Sequence, residues 1–209
     1  MATPGQRAIA AFELYVLDHQ GLRALWYNLH RVAPQMWRSG QPAPFQIERL
    51  AARGIKTIVN LRGARDDGGF LLEQEACRRH GVTLVNFQTG SREPPTRDVV
   101  RAAKAMFDAI EYPALMHCKS GADRAGMMSA LYLILREGRT ADEALRQLAL
   151  RYGHLKHAKT GVIDFFFESY RDHAARTGMD FMRWVEEVYD WQAMRRAFRD
   201  RGWASLIVD

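Results

Sequence analysis

The segment Pro113-Ala114-Leu115-Met116-His117-Cys118-Lys119-Ser120-Gly121-Ala122-Asp123-Arg124-Ala125-Gly126 runs from an apolar stretch through a glycine-bearing polar turn into a helical pattern that continues to about Arg136. A buried strand is expected over 113–117, a loop after it, and a helix from about Arg124. In an open α/β sheet, ligands bind beyond the carboxyl ends of the strands. A turn between strand and helix also gathers backbone N–H groups and the positive end of the helix dipole at one point. The segments before it repeat the alternation. Ile55–Leu61 and Val82–Phe87 are β-branched runs that read as strands. Residues 43–53, 70–80 and 96–110 carry apolar residues at helical spacing, the first two closed by Gly54 and Gly81 and the third capped by Thr96. Val32–Arg38 reads as one short strand before the turn Ser39-Gly40-Gln41-Pro42. After residue 139 the pattern is helical, with Thr140 capping a helix to Leu150 and further helices over Ile163–Tyr170 and Phe181–Phe198. The expected fold class is therefore α/β: a central, mostly parallel sheet flanked by helices, with additional helices at both ends.

Composition sets the outer limits. The chain has 209 residues, 47% hydrophobic and 26% charged, which suits one globular domain rather than a disordered chain. A single domain over 1–209 is expected, with its core at about 31–160 and helical extensions over 1–30 and 161–209. No apolar run reaches the roughly 18–20 residues of a spanning helix. Ala8–Trp26 is broken by Glu13, Asp18 and Arg23, so no secretory signal is read there. It is read instead as one or two helices with an apolar side, packed on the domain or lying on a membrane surface. Two cysteines, Cys77 and Cys118, exclude both a disulfide scaffold and a cysteine-rich zinc module. The net charge of +6 favours anionic partners.

The loop assigns a chemistry to each residue type. Cys118, at a helix N-terminus among aligned N–H groups, should be held as thiolate, a competent nucleophile at neutral pH. The planar fork of Arg124 matches two phosphate oxygens and stabilises charge in the transition state. Gly121 allows the backbone to turn its amides inward. The backbone N–H groups of the loop can point inward as an anion nest, and His117 orients the loop rather than taking a proton from the substrate. The assembly predicts a phosphocysteine intermediate and two-step hydrolysis with no metal and no cofactor. A leaving oxygen needs a proton, usually from a carboxylic acid. Asp123 is the first candidate, Glu93 the alternative, and Asp66 or Asp67 stand behind them.

His117–Gly126 resembles the signature loop of the cysteine-dependent protein-tyrosine and dual-specificity phosphatases, a histidine and cysteine followed after five residues by arginine. Arg38-Ser39-Gly40-Gln41-Pro42 and Val59-Asn60-Leu61-Arg62 are similar to the small atypical dual-specificity branch found in bacteria, fungi and plants. The resemblance covers about 31–160; residues 165–209 lie outside it. It implies Cys118 as nucleophile, Arg124 as phosphate clamp, and the amides of Lys119, Ser120, Gly121, Ala122, Asp123 and Arg124 as the cradle that binds the substrate. Asp immediately before the loop arginine also occurs in phosphoinositide phosphatases and some bacterial lipid-active relatives, where it can serve as the acid. Many relatives carry Ser or Thr after the loop arginine, whereas this chain has Ala125. Slower breakdown of the phosphoenzyme is expected, or help from Ser120.

The partner expected is a phosphorylated substrate. It is a phosphoprotein or model aryl phosphate in the first reading, and a phosphoinositide, inositol pyrophosphate or envelope glycolipid in the second. A phosphate-binding adaptor with little turnover is a further alternative, and a rhodanese-like sulfur transferase a poor third. Lys119 resembles the cation at that place in three-phosphoinositide-type lipid phosphatases. Arg151, His154, Lys156, His157 and Lys159 could line an anionic pocket or form a solvated face. A metal site at His154 and His157 finds no supporting ligand in the sequence. Phe165, Phe166, Phe167, Phe181, Trp184 and Trp191 read as helix packing, with an acidic membrane surface left open as a partner. Cys77 reads as core, with a redox bridge to Cys118 as the alternative. No nucleic-acid motif accompanies the charge. A cytoplasmic location is expected, with peripheral contact on the inner membrane face as a second possibility.

Overall fold

The computed structural model describes residues 27–207, with side chains through residue 200; the N-terminal helix expected over 8–26 lies outside the described residues. The described chain forms two compact units, one of residues 27–89 and 110–125 and the other of residues 90–109 and 126–207. Each is treated by itself below.

The first unit holds a five-stranded sheet: β1 (His30–Ala33), β2 (Met36–Ser39), β3 (Thr57–Asn60), β4 (Thr83–Asn86) and β5 (Ala114–His117). Their order is β1-β2-β5-β3-β4. Only β1 and β2 run antiparallel; the β2–β5, β5–β3 and β3–β4 pairs are parallel. This is the α/β class with a mostly parallel sheet that the alternating pattern predicts. One detail differs. Val32–Arg38 is not one strand but a tight hairpin, because Pro34 and Gln35 lie between β1 and β2 and Ala33 pairs with Met36. The alternation is weak there because the turn interrupts it.

Helices α1 (Pro44–Ala52) and α2 (Gly68–Arg79) complete the sheet-bearing unit. Pro44 opens α1, where its missing N–H costs nothing. The Gln46 side-chain oxygen accepts the Ala43 N–H at 2.8 Å, satisfying one donor at the helix start. In α2, the Asp67 carboxylate accepts the Phe70 N–H at 2.8 Å, so the helix starts at Gly68, two residues before the 70–80 segment read from sequence. Ile47 and Leu50 from α1, Ala76 and Cys77 from α2, and Ile58 and Leu115 from the sheet close one core. Strand alternation sends Val59 and Met116, also fully buried, to the opposite face.

The second unit contains α3 (Arg97–Ala109), the length of α4 (Asp123–Leu135) after its first turn, α5 (Ala141–Leu145), α6 (Val162–Thr177), α7 (Phe181–Glu187) and α8 (Trp191–Ile207). Thr140 caps α5 as predicted, with reciprocal bonds to Glu143. The helix nevertheless stops at Leu145 rather than Leu150. Gln147 and Leu148 turn inward on i to i−3 bonds, and Leu150–Tyr152 forms a separate 3-10 turn. The helix expected over 181–198 is two helices. Val188 is exposed, Tyr189 turns in to donate its hydroxyl to the Pro95 carbonyl at 2.7 Å, and the Asp190 carboxylate caps α8 through the Gln192 and Ala193 N–H groups. Phe166 packs within 6.0 Å, centroid to centroid, of Phe167, Phe181, Trp184 and Tyr189. Each such pair adds about 0.5–1.5 kcal/mol to the burial itself. Among the described residues no helix is long and apolar enough to cross a membrane.

Candidate active site

Three adjacent parallel strands end in register. Ser39 of β2 and Asn60 of β3 both pair with His117 of β5. The chain continuing from each therefore arrives at one edge of the sheet: Gly40-Gln41 from β2, Leu61-Arg62 from β3, and Cys118 to Ala122 from β5. The first residue of α4, Asp123, follows directly.

Five successive carbonyls of the Cys118 loop are held from outside. The Cys118 oxygen accepts from His117 Nδ1 at 3.3 Å, and the Lys119 oxygen from the Gln41 amide at 3.3 Å. The Ser120 oxygen accepts from Asn28 Nδ2 at 2.9 Å. Arg38, fully buried, donates one Nη2 to the Gly121 oxygen at 2.7 Å and to the Ala122 oxygen at 2.8 Å. In a trans peptide the carbonyl and the following N–H point opposite ways. Drawing these carbonyls outward turns the amides of residues 119–123 toward the inside of the loop. The Gly121 N–H donates to Cys118 Sγ at 3.2 Å, so at least that amide is aimed at the sulfur. An N–H so aimed is a donor to charge on the sulfur.

Gly121 is required twice over. Its φ is +78°, and a Cβ there would lie 2.6 Å from the Gly40 nitrogen and 2.6 Å from the Ser39 carbonyl carbon. The close approach of Gly40 and Gly121 lets the β2 turn grip the loop. Arg38, Gly40, Gln41 and Asn28 carry no role in the chemistry read from sequence; the pairing of β2 with β5 brings them in. Asn60 shapes the neighbouring turn. Its Nδ2 donates to the Gly63 oxygen at 2.9 Å, and its Oδ1 accepts the Arg62 N–H at 2.9 Å.

The loop thus brings together Cys118, Lys119, Ser120, Gly121, Ala122, Asp123 and Arg124 with His117 behind them. Cys118 is 2% exposed, Lys119 and Ser120 are exposed, and Asp123 and Arg124 are half-buried. Among the described residues no carboxylate is paired with the Arg124 guanidinium. Two of the other acid candidates, Asp67 and Glu93, are engaged elsewhere, and Asp66 is exposed. Asp67 caps α2 and meets Arg65 at 2.5 Å; burial pushes its proton affinity up, but Arg65, the Phe70 N–H and Arg62 outweigh it and hold the carboxyl below its usual range. Glu93 belongs to the other unit, where Arg195 takes its carboxylate at 2.7 Å. The basic stretch is not a uniform row of cations. His154 is buried against Asp164 at 2.6 Å and Lys156 pairs with Glu168, leaving Arg151, His157 and Lys159 exposed. Among the described residues no cluster of three or more His, Cys, Asp or Glu side chains could hold a metal ion. Both cysteines are free, and burial, with Glu73 adding to it, pushes the Cys77 thiol up to about 12.

Residues 4–164 match the family described as "DSP-PTPase phosphatase fused to NAD+ Kinase". The chain belongs to this DSP-PTPase family. Among curated relatives, the dual specificity protein phosphatase TpbA of Pseudomonas aeruginosa is 30% identical over 122 residues, covering 58% of this chain and 53% of that protein. The crystal structure of P. aeruginosa TpbA superimposes with a TM-score of 0.57 at 20% identity, over 83% of this chain and 91% of that one. The human phosphatidylglycerophosphatase and protein-tyrosine phosphatase 1 is 24% identical over 162 residues, 74% of this chain and 78% of that protein. The chain spans about half the length of the TpbA sequences it matches.

Proposed function

We propose that the chain is a cysteine-dependent phosphatase that hydrolyses phosphate monoesters, phosphotyrosine-like aryl phosphates among them. The observation that carries this reading is the set of five outward-held carbonyls with the Gly121 N–H on Cys118 Sγ. Inverted amides of this kind fit the three outer oxygens of a phosphoryl group. TpbA has also been solved in complex with pTyr.

In this mechanism the Cys118 thiolate attacks phosphorus and forms an S–P bond as the P–O bond to the leaving group breaks. The amides of residues 119–123 and the fork of Arg124 take up the charge on the equatorial oxygens. Asp123 gives its proton to the departing oxygen. Water then attacks the phosphocysteine, and Asp123 accepts a proton from it, returning the thiolate and inorganic phosphate. Ala125 offers no hydroxyl to this second step, which is expected to be the slower one. A reducing, cytoplasmic compartment suits an unbridged Cys118. The test is phosphate release from an aryl phosphate and a phosphotyrosine peptide, with Cys118→Ser as blank. Equal release by that variant would overturn the mechanism. Vanadate binding without turnover by the unaltered chain would favour a phosphate-binding adaptor instead.

Phosphate on a lipid head group is the second substrate reading. It is supported by Leu150 and Leu155, 72% and 55% exposed, beside exposed Arg151, His157 and Lys159, a composition suited to an acidic membrane surface. Flotation with vesicles containing phosphatidylglycerol, and loss of flotation in Leu150→Ser/Leu155→Ser, is the expected result. Equal recovery with neutral vesicles would count against it.

A further inference from the structure

A buried polar chain lies beneath the loop and is not used by the mechanism above. Glu73 stands on the apolar face of α2, in line with Phe70 and Cys77, and is 1% exposed. Its Oε1 is 2.5 Å from His117 Nε2, and both side chains are fully enclosed. A buried carboxylate without good partners costs several kcal/mol, so its partners are informative.

Donor and acceptor identities fix where the protons are. A guanidinium only donates, so the bond between Arg62 Nη1 and Gln41 Oε1 sets which way the Gln41 amide faces. Gln41 Nε2 then donates to Glu73 Oε2 at 2.9 Å, which makes that oxygen an acceptor. At the other end a carbonyl only accepts, so His117 Nδ1 carries a proton toward the Cys118 oxygen. Between these two ends the Glu73 carboxylate faces His117 Nε2. Gln41 also gives its own backbone N–H to the Lys119 oxygen. Two of the five anchored carbonyls therefore trace back to Glu73.

We propose that Glu73 is a positioning residue for phosphate transfer: its carboxylate braces the His117 ring on the Nε2 side, and so holds Nδ1 against the first carbonyl of the loop, directly beneath the nucleophile. This rests on Cys118 being the nucleophile, as argued above. With Glu73 in place, His117 supports Cys118 as a donor from below while the Gly121 N–H supports it from within the loop. Without the carboxylate, nothing of its charge braces the ring at Nε2, and the hold of Nδ1 on the Cys118 carbonyl loosens. The other charged and titratable groups around the loop are Lys119, Asp123 and Arg124 on it, Arg38 from β2, Arg62 after β3, and Tyr27, whose hydroxyl burial holds protonated. None of these replaces an acceptor at His117 Nε2.

The test is the rate of Cys118 alkylation by iodoacetamide as a function of pH, on the full chain, for the unaltered protein, Glu73→Gln and Glu73→Asp. Glu73→Gln is expected to react about tenfold more slowly than the unaltered protein near pH 6, with the gap closing near pH 9. Glu73→Asp is expected to recover part of the loss, and the acid limb of kcat/KM for an aryl phosphate to move the same way. Superimposable alkylation profiles, even with lowered thermal stability, would overturn the proposal and leave Glu73 a packing residue. If Glu73→Gln does not fold, Glu73→Asp carries the test: a smaller lag of the same sign supports the proposal, and a profile matching the unaltered protein overturns it. Alkylation needs no turnover, so turnover surviving in Cys118→Ser would sink the phosphatase reading separately.

Discussion

Two buried histidines in this chain meet a carboxylate at nearly the same distance, one in each compact unit. His154 Nε2 lies 2.6 Å from Asp164 Oδ2, ten positions away in sequence. His117 Nε2 lies 2.5 Å from Glu73 Oε1, on a different element far upstream. The first pair pins the 3-10 segment after α5 onto α6, beside the Lys156–Glu168 ion pair. The chain is already tight there: a Cβ on Gly161 would come within 1.8 Å of the Lys156 carbonyl oxygen. In the second pair the ring continues, through Nδ1, to the carbonyl of Cys118. The contact chemistry is alike; what the other ring nitrogen touches decides whether it shapes a loop or a reactive group.

Variants that break one side of this comparison should separate the two roles. The largest effect on turnover among them is expected from Gly121→Ala. A Cβ at φ +78°, 2.6 Å from Gly40 N, must push the β2 turn and the loop apart. Since a displacement of about 1 Å costs about 10²-fold in rate, kcat/KM should fall by at least that much, measured on an aryl phosphate. Arg38→Lys comes next. An ammonium in place of the Nη2 fork loses its hold on one of two carbonyls, and at about 1.5–3 kcal/mol for a charge-assisted bond the rate should drop about tenfold or more. Asp123→Asn should lower kcat more for alkyl than for activated aryl phosphates and flatten the high-pH limb of the rate profile; an unchanged profile would remove Asp123 as the acid. Asp164→Asn should do the reverse of the loop variants: stability falls by about 3 kcal/mol in thermal unfolding, while kcat stays within about twofold of the unaltered chain. The smallest effect belongs to Cys77. With its thiol pushed up to about 12, it stays protonated at every pH below that, so alkylation at neutral pH should label Cys118 and spare Cys77 until the chain unfolds.

Much of the fold is legible in the sequence because the signals are local. The β-branched runs at 55–61 and 82–87, and the Thr96 and Thr140 caps, need only neighbouring residues to be read. The Cys118 loop is legible for the same reason, as strand, turn and helix in one stretch. What escapes is non-local. The Arg38 guanidinium reaches carbonyls more than eighty positions away because β2 pairs with β5, and no pattern in 36–42 announces that pairing. Glu73 leaves a fainter trace, a single acid in line with Phe70 and Cys77 on an otherwise apolar helix face. Such a residue must find a partner in the core, but the sequence does not say that the partner is His117. The break between α7 and α8 is hidden because Trp191 keeps the helical period past Tyr189, and only the Asp190 cap marks the new start.

The central claim is that Cys118 carries the phosphoryl group between substrate and water. Mixing the chain with an aryl phosphate, quenching in acid within the first turnovers and mapping the peptides tests it directly. A phosphoryl group on the Cys118 peptide, absent in Cys118→Ser and accumulating because Ala125 slows its release, is the predicted result. Turnover that proceeds with Cys118 unmodified, or that survives in Cys118→Ser, would contradict it.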